Sequence, residues 1–204
     1  MAVRETDLLC HELLLRLAGR LPDRHLWRYR DWLAGGAADV VARLLPSTLA
    51  RERVALSDAD HQRLVEALLP LGADPATVHA ILPRIEDHSE PHTFSTESPI
   101  DGRGDSEVLV LGATLRGRQG LREVRSTWRR TAGSRPKRVL LVTASVDVVE
   151  LTGEIQRILR ALGDHEPCVE VLLPEMEPPA YHRAAMADSV LVCSGADELT
   201  GHRG

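Results

Sequence analysis

Arg138-Val-Leu-Leu-Val-Thr143 is an unbroken apolar run held between a basic residue and a hydroxyl, and its reading decides the fold. Four apolar residues in a row without alternation suit a strand covered on both faces. Downstream, Val148, Leu151, Ile155, Ile158, Leu159 and Leu162 recur at helical spacing and end at Gly163. Cys168-Val-Glu-Val-Leu-Leu173 and Ser189-Val-Leu-Val-Cys-Ser194 repeat the strand signature, with Pro179–Ala187 as a shorter helix between them. Strand–helix–strand–helix–strand predicts parallel pairing through right-handed crossovers. Upstream, Val108-Leu-Val-Leu111 reads as a further strand, with Glu123–Trp128 as its hairpin partner. Residues 108–204 are therefore expected to form a small three-layered α/β domain. Its sheet should be mostly parallel and doubly wound, Rossmann-like or flavodoxin-like.

Residues 1–85 follow a different period. Cys10, Leu13, Leu14 and Leu17 mark one face of a helix that ends at Gly19. Pro22 opens a second helix through Leu33, and Ala37–Leu45 is a third, stopped by Pro46. Ser57-Asp-Ala-Asp60 resembles a capping box before Leu64, Val65 and Leu68. Asp74-Pro75 is a second helix start. These elements predict a small helical bundle. Residues 86–107, with two prolines, two glycines and many hydroxyls, bury too little to offset ordering entropy and read as an acidic flexible linker. The expected organisation is α plus α/β in two domains.

The 204 residues carry a formal charge of −5, with 24 arginines and a single lysine, Lys137. Charge is segregated. Residues 1–85 are neutral, 86–107 carry −6, 108–140 carry +8 and 141–204 carry −7. The basic block runs from Arg116 to Arg138 with Trp128 inside it. Arginine forks beside an aromatic plane can hold phosphate or stack on a base. Acidic flanks on both sides offer the simpler alternative of self-neutralisation. Nucleic acid is not the expected partner, because no basic recognition helix, RNP motif or zinc finger is present. No apolar run approaches membrane-spanning length. Three distant cysteines, Cys10, Cys168 and Cys193, fit a reducing, cytoplasmic compartment better than a disulfide framework.

Chemistry-bearing signals are sparse. Gly112-Ala-Thr-Leu-Arg-Gly117-Arg118-Gln119 has the glycine spacing of a P-loop. It lacks the lysine and hydroxyl that such a loop uses on phosphate and Mg²⁺. Small polar residues punctuate the expected strand ends at Thr114, Thr143, Ser145, Ser194 and Gly195, where ligands bind in open parallel sheets. With Arg116 and Arg118 as counter-ions they could line a nucleotide or phosphorylated-metabolite pocket. Ser145, His182 and Asp188 can be written as a triad, but no nucleophile elbow supports it. Tyr181-His182-Arg183 reads as the solvated face of a helix or as an acid/base group with an arginine clamp. The histidines His88 and His92 lie beside acidic residues without a third ligand at metal spacing, so neither a metal nor another cofactor is expected. In the helical half, Trp27 and Trp32 with Arg28 could anchor a protein partner, although 27 and 29 lie about 200° apart on a helix. Two functions follow as expectations. The first is a non-enzymatic, adaptor-like interaction or regulatory protein. The alternative is a nucleotide- or phosphate-metabolite-binding α/β protein with its ligand at the strand carboxyl ends.

Overall fold

A computed structural model describes residues 2–54, 56–81, 92–98 and 104–196. These contain eight helices and one five-stranded mixed sheet, an α+β arrangement. The chain divides into two compact units, Met1–Glu90 and Pro91–Gly204.

The first unit consists of α1 (Ala2–Arg16), α2 (Asp23–Ala34), α3 (Ala38–Arg51), α4 (Asp58–Leu68) and α5 (Pro75–His79). Its core is aliphatic, with Leu13, Leu17, Val41, Leu45, Leu64 and Leu68 fully buried. Ser57 caps α4 by accepting the Asp60 amide at 3.1 Å, and Asp74 caps α5 through the amides of Ala76 and Thr77. Pro46 does not stop α3 as its chemistry suggests. Leu45 and Leu49 are both buried one turn apart, and the Tyr29 hydroxyl donates to Thr48 Oγ1 at 2.7 Å. Burial of that last turn outweighs the one amide hydrogen bond that proline removes. Arg20 reaches Asp60 at 2.8 Å, tying the end of α1 to α4.

The second unit contains β1 (His92–Ser95), α6 (Gly104–Leu115), β2 (Leu121–Thr131), β3 (Lys137–Ala144), α7 (Val148–Ala161), β4 (Cys168–Leu172), α8 (Ala180–Ala187) and β5 (Val190–Ser194). The β3–α7–β4 unit is the parallel crossover that the apolar runs predict. The sheet as a whole is mixed, not mostly parallel. β2 forms a hairpin with β3 and occupies the edge that β5 would need for parallel pairing. β5 instead pairs antiparallel with the first half of β2, and β1 pairs antiparallel with its last residues on the same edge. Rossmann-like and flavodoxin-like topologies are thereby ruled out for this sheet. Four strands run one way, and β2 alone runs against them.

Two further expectations change. Val108–Leu111 is not a strand but the middle of α6. Leu111 and Leu115 are buried one turn apart while Leu109 and Ala113, which a strand would place on their face, are exposed. Gly112 of α6 lies against Val192 of β5. Of the segment expected to be linker, residues 92–95 are β1 and 104–107 begin α6; residues 86–91 and 99–103 lie outside those described. The strand pairing gives residues 92–95 main-chain partners that composition could not anticipate. Helices cover both faces of the sheet. α8 packs on the face carrying Val139, Leu141 and Cys168. On the other face Arg138 reaches Glu107 of α6, which in turn contacts α7.

Replacing Ser57 with alanine removes the α4 cap, so the variant should lose about 1 kcal/mol. Urea unfolding followed by circular dichroism checks this.

Candidate functional site

Pairing register brings the carboxyl ends of three strands to one edge of the sheet. Thr143 of β3 and Ser194 of β5 both lie opposite Glu123, and Thr143 lies opposite Leu172 of β4. The segments after β3 and β5 meet the Gly117–Gly120 turn there. Four amides around this edge are already engaged, while α7 starts just beyond β3 with no side-chain cap on its first turn. Gly117 N–H donates to the Ser194 carbonyl at 3.2 Å, Gly195 N–H to Arg122 at 2.8 Å, Ala196 N–H to Arg118 at 3.2 Å and Ser145 N–H to Gly120 at 2.7 Å. Ser145 Oγ donates to that same Gly120 carbonyl. A side chain at Gly195 would collide with the Leu121 carbonyl, so the chain closes tightly at this point.

Of the other residues expected here, Arg116 and Arg118 flank Gly117 beside this edge, and Thr114 lies further back in α6. Thr114 sits on the last turn of α6 and its hydroxyl donates to Val110 at 2.8 Å. Arg118 Nη1 pairs with Glu154 of α7 at 2.7 Å. Arg116 is exposed, near the buried thiol of Cys193. The P-loop-like glycine spacing starts inside a helix rather than after a strand, which removes the geometry that phosphate binding requires.

A polar cluster that the sequence left dispersed forms beneath α8. His182 Nε2 lies 2.9 Å from Glu170 Oε2, with the two residues 0% and 2% exposed. Neither the solvated-face reading of His182 nor the triad with Ser145 and Asp188 describes this arrangement: the imidazole is sealed against a strand carboxylate. Nδ1 of His182 has no hydrogen-bond partner among the described residues. A bare lone pair is less costly to bury than an N–H, so the tautomer with its proton on Nε2, donating to Glu170, is the one that fits. Beside it, the Tyr181 ring meets Phe94 and His92 edge-on at 5.3 and 5.7 Å between centroids. Burial pushes the Tyr181 phenol up, opposed by the Arg129 guanidinium, which donates to its oxygen at 3.1 Å. His92 Nδ1 lies 2.9 Å from the Thr131 hydroxyl, while His88 falls outside the described residues. The sequence marked Tyr181 and His182 but not their partner; its signal was Glu170, a lone charge in an apolar strand.

The basic block meets acidic groups from both flanks. Arg138 pairs with Glu107 at 3.4 Å and lies 4.8 Å over the Trp128 ring, and Lys137 reaches Glu166 at 3.5 Å. Arg125 pairs with Glu123 within the block. Arg116, Arg122, Arg130 and Arg135 remain exposed. On α2, Leu26, Tyr29, Arg30 and Leu33 face inward. Trp27 and Trp32 are half-buried on opposite flanks of the outward face, and exposed Arg28 lies 5.6 Å over the Trp27 ring. Tyr29 belongs to the core, as the 200° separation from Trp27 required.

Among the described residues no cluster of three histidine, cysteine or carboxylate groups could hold a metal. None of their helices is long and apolar enough to cross a membrane. Comparison with known family models, curated proteins and solved structures yields no match.

Truncating Glu170 to alanine removes one member of a buried pair and should cost about 3–5 kcal/mol, whereas Glu170→Gln, which keeps a hydrogen-bonding group there, should cost less. Denaturant titration of both variants tests the order. Burial, with the Asp7 carboxylate adding to it, pushes the Cys10 thiol up to about 12. A Cys168→Ser, Cys193→Ser variant should therefore show no thiol reacting with Ellman's reagent in the native state between pH 7 and 9, and full reaction on unfolding.

Proposed function

We propose that the chain is a non-enzymatic, adaptor-like interaction or regulatory protein of the cytoplasm. Its first unit would dock a protein partner through the outward face of α2, with Trp27 and Trp32 on either side of Arg28. The observation that carries this reading over the metabolite-binding alternative is the engagement of the Gly117–Gly120 turn. Four main-chain amides where that turn meets the segments after β3 and β5 are bonded to main-chain carbonyls, and Arg118 is paired with Glu154. An anion site built on the glycine-spaced turn and its arginine would need those donors free.

The α2 face supports the reading in a second way. Tryptophan and arginine are the side chains that dominate binding energy at protein interfaces. Here they stand on one helix with a cationic group already stacked on an indole. Cys10, Cys168 and Cys193 are free and buried, which suits a reducing compartment. Engagement of Arg118, Arg125, Lys137 and Arg138 by carboxylates argues against nucleic acid as the partner.

The experiment has two arms. Nucleotides and inorganic phosphate at millimolar concentration should leave the melting temperature of the full chain unchanged. A photo-crosslinking residue in place of Asp31, between the two tryptophans on α2, should capture a defined protein in cells, and Trp27→Ser with Trp32→Ser should abolish that capture. A nucleotide-induced rise of several degrees that disappears in Arg118→Ala would reject the proposal for the alternative, since binding to the folded state alone raises stability.

A further inference from the structure

The second unit leaves an apolar surface where α6 lies along β5. Leu111 and Leu115 turn inward, while the outward side of α6 presents Leu109, 70% exposed, together with Val110 and Ala113. Gly112 lies against Val192, and Gly117 N–H bonds the Ser194 carbonyl. The helix and strand therefore run in the same direction. One turn before Gly112, Leu109 stands level with the start of β5, where Val190 and Leu191 are 46% and 52% exposed. A helix apolar on its outward side, beside exposed Val190, whose partner Ser126 shares the α6 face of the sheet with Trp128, makes a patch of the kind that marks an interaction site.

Charge is polarised along this patch. At the start of β5 stand Asp188, exposed, and Glu97, exposed and two residues beyond the β1 residue paired with Trp128. At its end stand the exposed Arg116 and Arg122, the latter accepting the Gly195 amide on its carbonyl. None of these four charged groups has an ion-pair partner among the described residues. From Asp188 to Ser194 the strand direction covers about 20 Å at roughly 3.3 Å per residue. The surface thus has an acidic end, an apolar middle and a basic end.

We infer that this surface binds a second copy of the same chain about a two-fold axis. Isologous pairing places a patch on itself in reverse. The acidic end of one protomer then faces the basic end of its partner, twice, and Leu109 and Val190 of both protomers share the dry centre. An apolar centre with a polar rim is the anatomy of protein interfaces. The same polarity disfavours pairing the patch with itself in parallel, because like charges would then meet at both ends. The inference uses no residue of α2 and stands whether or not α2 docks a partner.

Sedimentation equilibrium of the full chain at micromolar concentration and low salt should show a reversible dimer. Leu109→Glu, at a position already exposed, should raise the dimer dissociation constant at least about tenfold, because it would desolvate a charge at the centre. Arg116→Asp alone and Asp188→Arg alone should each weaken the dimer by about fivefold or more. Mixing these two single variants should restore association as a heterodimer, and the double variant should restore it as a homodimer. A wild-type chain that stays monomeric overturns the inference, whether the patch is open or covered by another part of the same chain. A dimer indifferent to Leu109→Glu, or charge reversals without rescue in the mixture, overturns it as well.

Discussion

β2 holds the sheet together. It pairs with β3 along one edge and with β5 and β1 in succession along the other, so four of the five strands are joined through it. Its reversed direction allows β1, β3, β4 and β5 to run alike while only β3 and β4 are parallel neighbours. The last strand reaches β2 across more than sixty residues of intervening chain. The β2–β3 hairpin closes across five residues, so its pairing costs far less chain entropy than that of β5.

What the residues disclosed in advance was local. The β3–α7–β4 crossover was legible because continuous apolar runs and a 3.6-residue period, ended by Gly163, admit few alternatives. The caps at Ser57 and Asp74 were legible because their chemistry acts within three residues. The direction of the sheet was not, since strand order depends on which edge is filled first, and no run of Val and Leu encodes that. Val108–Leu111 misled because four consecutive apolar residues fit a buried strand and a helix equally well, and Leu115, four residues beyond Leu111, shares its face in either.

The site residues divide in the same way. Thr143, Ser194 and Gly195 meet at one edge beside the turn that Arg116 precedes, but Thr114 stays within α6. Whether an edge is open depends on main-chain hydrogen bonds made by neighbours such as Gly117 and Gly120, and a side-chain pattern carries no record of those. Glu170 and His182 are twelve residues apart and belong to a strand and to the helix that covers it. Their pairing is a product of tertiary packing. It places a strong directional contact inside an otherwise aliphatic layer, which fixes how α8 sits over the sheet.

The shared edge of β2 also has a mechanical meaning. His92 pairs with Thr131 near one end of that strand, and Ser194 pairs with Glu123 near the other, eight residues or about 26 Å away. Tension entering before His92 and leaving after Ser194 would pull β1 and β5 along β2 in opposite senses. Their interstrand bonds would then bear the load lengthwise and together, as in a lap joint, rather than opening one after another like a zip. A unit whose first and last strands lie against one central strand in this way resists extension by shear along its sheet.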